Sequence, residues 1–471
     1  MKNKAIHYLN DPARPFRWEW LILGVLFLIL FSSFCYGDTK SIIHYEYNFW
    51  DALLHGDLMD FYQFSYDKAA YYVEQGIEGT SAANYDMTMY FLLGIWGAPL
   101  YFVCKLAGIS ELDNFATMLY GKFIFFVALC IAVYLVYRLL QKMNLDTETS
   151  CWGSFYFASS ALVFSAIGVI GQSDILGIIF VLLGMCAYVD DHMLRFLLWF
   201  AIAFSFKGFA FFVFLPLLVL KVKNIFYIAV NALAVIGFTY LFNLPFVLND
   251  SEGVAYKQNF AKEWFLNLLN RKLPLMDGEI PVLVFGMGLL LLWCYFRPKS
   301  FSPEQLEEHT IFVPLTALVI LFASFGSFPY WYVYLTPFAA IAVVLHKENL
   351  ERLVLLEVAA MAALLAGQYV HCYWCFDVHN GGGMLLDVLF GQGSRETVLY
   401  QIAQRMTDST TALCNTAFLV CMVYFLYLIR PNGEMKKENN VSVRKYAIPR
   451  AGLNIVLTYI PVALYLANIW L

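Results

Sequence analysis

Long apolar stretches recur along nearly the whole chain, separated only by short polar turns. A helix needs about 20 mostly apolar residues to cross a bilayer. The pattern predicts an all-α, polytopic transmembrane helix bundle with about 13 spans. Cytoplasmic turns carry the Lys and Arg excess, which sets the threading. Residues 1–18, with Lys2, Lys4, Arg14 and Arg17, form a cytoplasmic N-terminus, and 19–471 form one transmembrane domain. The first run, Trp20 to Tyr36, reads as a retained span, not a cleaved signal, because the chain re-enters the membrane many times afterwards.

Arg138 and Lys142 mark the next inside turn. Two apolar runs precede them, Met89 to Ala107 and Phe123 to Leu140, and only one can cross if Arg138 is inside. Residues 37 to about 115 are therefore expected as one large, helical external loop, the Met89 run being interfacial or re-entrant. The second span is the run from Phe123. Span three, about 151–168, leads out to Gly171-Gln172-Ser173-Asp174, and span four returns to Asp190, Asp191, His192 and Arg195. Spans five and six hairpin around Lys207, and spans nine and ten around Phe328-Pro329-Tyr330-Trp331. Two more external loops are expected near 246–278 and 372–409. No repeat, heptad or low-complexity tract stands out.

Composition agrees with lipid as solvent. Hydrophobic residues make up 61% and charged residues 14%, against about 45–50% and about 25% in soluble domains. A net charge of −5 argues against a nucleic-acid surface. Most of the 10 cysteines lie inside apolar runs, where free cysteine acts as a small apolar residue.

The unusual polar residues gather in the external segments. Loop one carries Asp38, Glu46, Asp51, Asp57, Asp60 and Asp86 among many Tyr, Trp and Phe. Rings and carboxylates together suit a carbohydrate; rings alone also anchor chains at interfaces. Asp38, Asp86 and Asp174 are expected at one external membrane face, where a carboxylate can act as general base on a donor held by its lipid tail. Lys207 interrupts an apolar run, Phe196–Leu220. A charge there costs at least about 2.5–3.5 kcal/mol on insertion scales. It either faces a cavity, with an anionic lipid phosphate as natural partner, or snorkels at a hairpin tip. Loop two places Lys257, Lys262, Arg271 and Lys272 outside, either against a phosphate or on a solvated helix. His371-Cys372-x-x-Cys375-x-x-x-His379 has a zinc-like spacing, weighed against a disulfide and against chance.

Five stretches, in order, resemble the GT-C superfamily of multi-span glycosyltransferases. Phe49-Trp50-Asp51-Ala52-Leu53-Leu54-His55-Gly56 running to Asp60-Phe61-Tyr62 is similar to its loop-one segment. Asn84-Tyr85-Asp86-Met87 stands where many members have Tyr-Pro-Pro, and Gly171-Gln172-Ser173-Asp174 resembles a Gly-Gln-x-Asp/Asn corner. Lys207 precedes Pro216 by nine residues, as in a Lys-then-Leu/Pro segment, and Phe328-Pro329-Tyr330-Trp331 resembles a His-Pro-x-Tyr corner. The resemblance covers roughly 19–340. It implies a mannosyltransferase-like enzyme of a bacterial cytoplasmic membrane, with an extracytoplasmic active site. Such an enzyme moves a sugar from a polyprenyl-phosphate carrier to a glycan, lipid or protein acceptor by inverting displacement, without metal or other cofactor. It casts Asp38 as base, with Glu46 or Asp86 as alternatives. Asp51, Asp60, Gln172, Asp174, Lys207, Tyr330 and Trp331 become substrate contacts, and Lys207, Arg271 and Lys272 lipid-phosphate contacts. A lipid-linked glycan flippase, an envelope glycan polymerase and a scaffold without chemistry are the competing readings.

Overall fold

A computed structural model describes residues 17–76, 80–109, 112–275, 277–325, 328–372, 384–391, 398–406, 408–431 and 443–470. The chain is an all-α bundle. The strands among the described residues form a single hairpin, β1 (Lys272–Leu275) and β2 (Gly278–Pro281), antiparallel with Lys272 opposite Pro281. The first half supplies α1 (Arg17–Ser33), α2 (Gly37–His55), α3 (Phe61–Glu74), α4 (Met87–Ala107), α5 (Phe115–Lys142), α6 (Thr147–Ala158), α7 (Ala161–Ile170), α8 (Asp174–Val189), α9 (Met193–Phe206) and α10 (Phe209–Lys221). The second half supplies α11 (Ile225–Asn243), α12 (Glu252–Asn267), α13 (Val282–Phe296), α14 (Pro303–Ser324), α15 (Thr336–Leu345), α16 (Leu350–His371), α17 (Met384–Phe390), α18 (Val398–Arg405), α19 (Asp408–Leu428) and α20 (Arg444–Trp470).

Among the described residues six helices, α4 included, are long and apolar enough to cross a bilayer, or eight if the bent pairs α1–α2 and α6–α7 each count as one span. This identifies a multi-pass membrane protein. The outer helices keep apolar residues on the surface, as lipid permits: on α11, Leu233, Tyr240 and Leu241 are exposed, and on α19, Val420 and Val423.

The turns sort to two ends of the bundle. At one end, Lys142 pairs with Asp190, Lys221 pairs with Asp191, and Lys347 donates to Thr149 at 3.0 Å. This end holds the α5–α6, α8–α9, α10–α11 and α15–α16 turns. The other end holds the α1–α2, α7–α8 and α9–α10 corners and the turn before α15.

Among the described residues of segment 37–114, α2, α3 and α4 pack against this second end. Helix α2 leaves α1 at 81°. Helix α4 crosses α2 closely at Gly97, where an added Cβ would lie 2.5 Å from Glu46 Cβ. Helix α4 is tied to its surroundings along its length. Its start, Met87 N–H, donates to Asn243 Oδ1 at 2.7 Å at the end of α11. Its middle exchanges bonds with the first turns of α5: Trp96 Nε1 donates to Tyr120 O and Tyr120 Oη to Trp96 O. Near its end, Tyr101 donates to Asp51 of α2 at 2.8 Å.

Candidate functional site

Three chain corners, the segment before α4 and one helix line a cavity of about 420 Å³, and a further corner stands directly behind the lining. The first corner joins α1 to α2. Asp38 lies in the first turn of α2, where the helix dipole favours a carboxylate. Its neighbour Thr39 is buried and donates to Ile170 O at 2.8 Å, tying this corner to the next.

The second corner joins α7 to α8. The last turns of α7, Phe164–Ile170, are wound as a π-helix, and Gly171 ends them in the left-handed region at φ 73°. A Cβ on Gly171 would also lie 2.6 Å from Thr39 Oγ1, so both conformation and space call for glycine. Gln172 then donates from Nε2 to Asp38 Oδ2 at 2.9 Å. Asp174, fully enclosed, opens α8.

The third corner is the break between α9 and α10. Lys207 leaves the helix in extended conformation, at φ −157° and ψ 127°. Its Nζ stands 3.3 Å from Asp174 Oδ1 and 4.7 Å from the Trp331 ring centre, with Tyr85 and Phe209 at 5.5 and 5.6 Å. The fourth corner carries the rings: Phe328 and Tyr330 stack in parallel at 5.4 Å, and Tyr36 meets Tyr330 at 6.3 Å.

Helix α12 forms the remaining wall. Tyr256, Lys257, Phe260, Ala261 and Trp264 share one helical face, and all line the cavity. Lys257 pairs with Asp86 at 2.8 Å, just before α4. Backbone contacts fix α12 there: Gly253 N–H donates to Gln63 Oε1 at 2.9 Å.

The cavity therefore holds Asp38, Asp86, Lys207 and Lys257 at its surface, with Asp174 behind Lys207. Burial pushes the Asp38 carboxyl above the ordinary range. The Gln172 hydrogen bond and the Lys207 charge pull it partly back.

Of the residues singled out above, Asp38, Asp86, Lys207, Tyr330 and Trp331 line the cavity, and Gln172 and Asp174 stand directly behind the lining. The other five lie outside the lining. Glu46 is buried at the α2–α4 crossing with no hydrogen-bond partner on either carboxylate oxygen, and burial pushes it well up. Asp51 meets Tyr101, Lys105 and Lys68. Asp60 bonds Asn249. Arg271 donates to Ala323 O, and Lys272 pairs across the hairpin with Glu279 at 3.0 Å. Lys257 takes the place in the lining that loop two's other bases do not reach. Tyr85 and the α12 rings also join the site. Their signal was the recurrence of Tyr256, Phe260 and Trp264 at helical spacing.

Among the described residues no group of three or more His, Cys, Asp or Glu is placed to hold a metal ion. Cys372 is buried, while Cys375 and His379 lie outside the described residues. No family model, no curated protein and no solved structure matches the chain.

Proposed function

We propose that the protein is a membrane glycosyltransferase of GT-C-like architecture, moving a sugar from a polyprenyl-phosphate carrier to an acceptor hydroxyl. One observation carries the reading. A helix-start carboxylate, Asp38, and an interrupted-helix ammonium, Lys207, open into one aromatic-walled cavity. The acceptor oxygen attacks the sugar C1 as the C1–O bond to the phosphate breaks. The configuration inverts, Asp38 takes the hydroxyl proton, and the lipid phosphate leaves with the bonding pair. Lys207 meets the phosphate and steadies its charge as the bond breaks. The rings of Trp264, Phe328, Tyr330 and Trp331 offer faces for the sugar. Asp86 holds Lys257 toward the same space.

The depth of Lys207 supports a lipid-borne donor. Helices α9 and α10 have 14 and 13 residues. Each rises only about 20 Å, short of a hydrocarbon core of about 30 Å. A hairpin of that height leaves its tip within the bilayer thickness, where the head of a lipid is at hand. The ties of α4 to the end of α11 and to the first turns of α5 support a Met89 run that lies along the external face, and in this reading the chain crosses about thirteen times. The active site then faces away from the cytoplasm of a bacterial cell, and the acceptor is a glycan, a lipid or a protein.

The test is direct. Purified protein is incubated with a panel of polyprenyl-phosphate sugars, and sugar release or transfer is measured. Turnover of at least one donor, lost in Asp38→Asn, is expected. If labelled lipid binds but no donor is turned over, the reading fails and a lipid-linked glycan transporter takes its place.

A further inference from the structure

Lys122 is fully buried and lies in the second turn of α5. Its ammonium does not reach the cavity. It lies within hydrogen-bond distance of four main-chain carbonyls, Phe31 O at 2.7 Å, Phe34 O at 2.9 Å, Gly168 O at 2.7 Å and Val169 O at 3.0 Å, so its three N–H groups serve four acceptors with one of them shared. The first two lie at and just past the end of α1, the last two in the π-wound end of α7. Helix C-termini leave carbonyls without partners and carry negative partial charge. One lysine head group thus closes two such ends at once, and the face of Phe31, 4.5 Å away, completes its enclosure.

The two ends gathered by Lys122 are those that carry the reacting groups. Four residues after Phe34 comes Asp38, and three residues after Val169 comes Gln172. Thr39 joins the corners a second time through Ile170 O, and Gln172 reaches Asp38 across the join. Gly171 fits between them because an added Cβ would lie 3.0 Å from Lys122 Cε.

We infer that Lys122 is a positioning residue: it holds the Asp38 corner and the Gln172–Asp174 corner in register, so that the Asp38 carboxylate faces the cavity in its active orientation. The role rests on the transferase reading for its effect on turnover; the clasp itself does not. Lys122 touches neither substrate nor reacting atom, and it acts through Asp38 and Gln172. Lys207, on a separate corner, makes no contact with Lys122 and meets these corners only through Asp174.

The experiment has two arms on the full-length protein. Hydrogen–deuterium exchange reads residues 34–40 and 166–172 in the wild type, Lys122→Met and Thr39→Val. Both segments are expected to exchange at least about tenfold faster in Lys122→Met, while residues 206–210 keep wild-type protection. Transfer kinetics form the second arm. A misplacement of about 1 Å costs on the order of 10²-fold, so kcat is expected to fall about 10²-fold, with donor KM within about threefold. Should Lys122→Met fail to fold, Thr39→Val, which opens only the second join, is expected to show the same pattern at about a tenfold loss. Unchanged exchange at both corners, loosening spread through the whole bundle, or a loss confined to KM overturns the inference. If the wild type turns over no donor, the transferase reading fails, and the exchange arm still decides whether the clasp exists.

Discussion

The Lys207 ammonium stands 3.3 Å from a carboxylate oxygen of Asp174, whose side chain has 0% exposure. Each charge is tolerable there because the other is present. Breaking a buried pair by removing one partner costs about 3–5 kcal/mol, because the remaining charge is left without compensation. Asp174→Asn and Lys207→Met should therefore both lower the melting temperature of the purified protein. The double variant Lys207→Met/Asp174→Leu should regain most of the loss, yet bind a polyprenyl-phosphate donor weakly. A double variant no more stable than either single one would show that the pair does not account for the cost.

Asp38→Asn should stop turnover while leaving donor binding nearly intact. The amide keeps the size of the carboxylate but takes no proton at neutral pH, and a general base contributes about 10²–10⁴-fold in rate. Glu46→Gln should retain transfer, since Glu46 lies in the α2–α4 crossing outside the lining. Asp86→Asn frees Lys257 from its partner and should alter donor KM more than kcat. Loss of turnover in Asp86→Asn with full activity in Asp38→Asn would move the base to Asp86.

The pH profile should carry the mark of burial. A base works only when ionised, so transfer falls as pH drops through the pKa of Asp38. Burial raises that value, so the acid limb should lie above the ordinary carboxylate range. Gln172 donates to the ionised form and pulls the value down. In Gln172→Leu the acid limb should shift to higher pH. The measurement is kcat/KM against pH for wild type and variant; a limb that stays put or moves to lower pH would remove Asp38 from the base role.

Cysteine labelling in a cysteine-free background tests the threading. Ile109 follows α4 and is exposed, and His192 lies exposed in the α8–α9 turn. Ile109→Cys should react with a membrane-impermeant reagent from outside the cell, and His192→Cys only after the membrane is opened. Labelling of Ile109→Cys from the cytoplasm alone would mean that α4 crosses.

Much of the architecture was legible because its causes are local. A lysine inside an apolar run marked the α9–α10 break, and Gly171, the residue free to turn left-handed, marked the α7–α8 corner. Asp38, Asp86, Gln172, Asp174 and Lys207, expected at one membrane face, do meet around one cavity. What escaped was set by distant partners or by overlooked turn chemistry. Span three read as one helix over about 151–168, but it breaks at Ser159-Ser160 and bends by 47°. Its freed carbonyl at Ser159 is met by Asn454 of α20, at 3.1 Å, which no local pattern announces. The 272–281 hairpin did carry a signal, the Asp277-Gly278 step where the turn enters the second strand. Lys122 directly precedes the Phe123 to Leu140 run and drew no reading; only the meeting of three helices surrounds it with four carbonyls.

The α6–α7 bend has a consequence for biogenesis. Its closure by α20 also includes Arg450, which donates to Ser159 Oγ at 3.0 Å while paired with Glu357 of α16. During synthesis α6 and α7 enter the membrane long before α16 and α20 leave the ribosome. Until α20 arrives, the bend has no partner for its carbonyl. The segment that leads to Gln172 and Asp174 then reaches its final shape only after the late helices dock. A nascent chain stalled before residue 444 should be inserted, protease-accessible at this bend and unable to bind donor, and extension through residue 470 should restore both protection and binding.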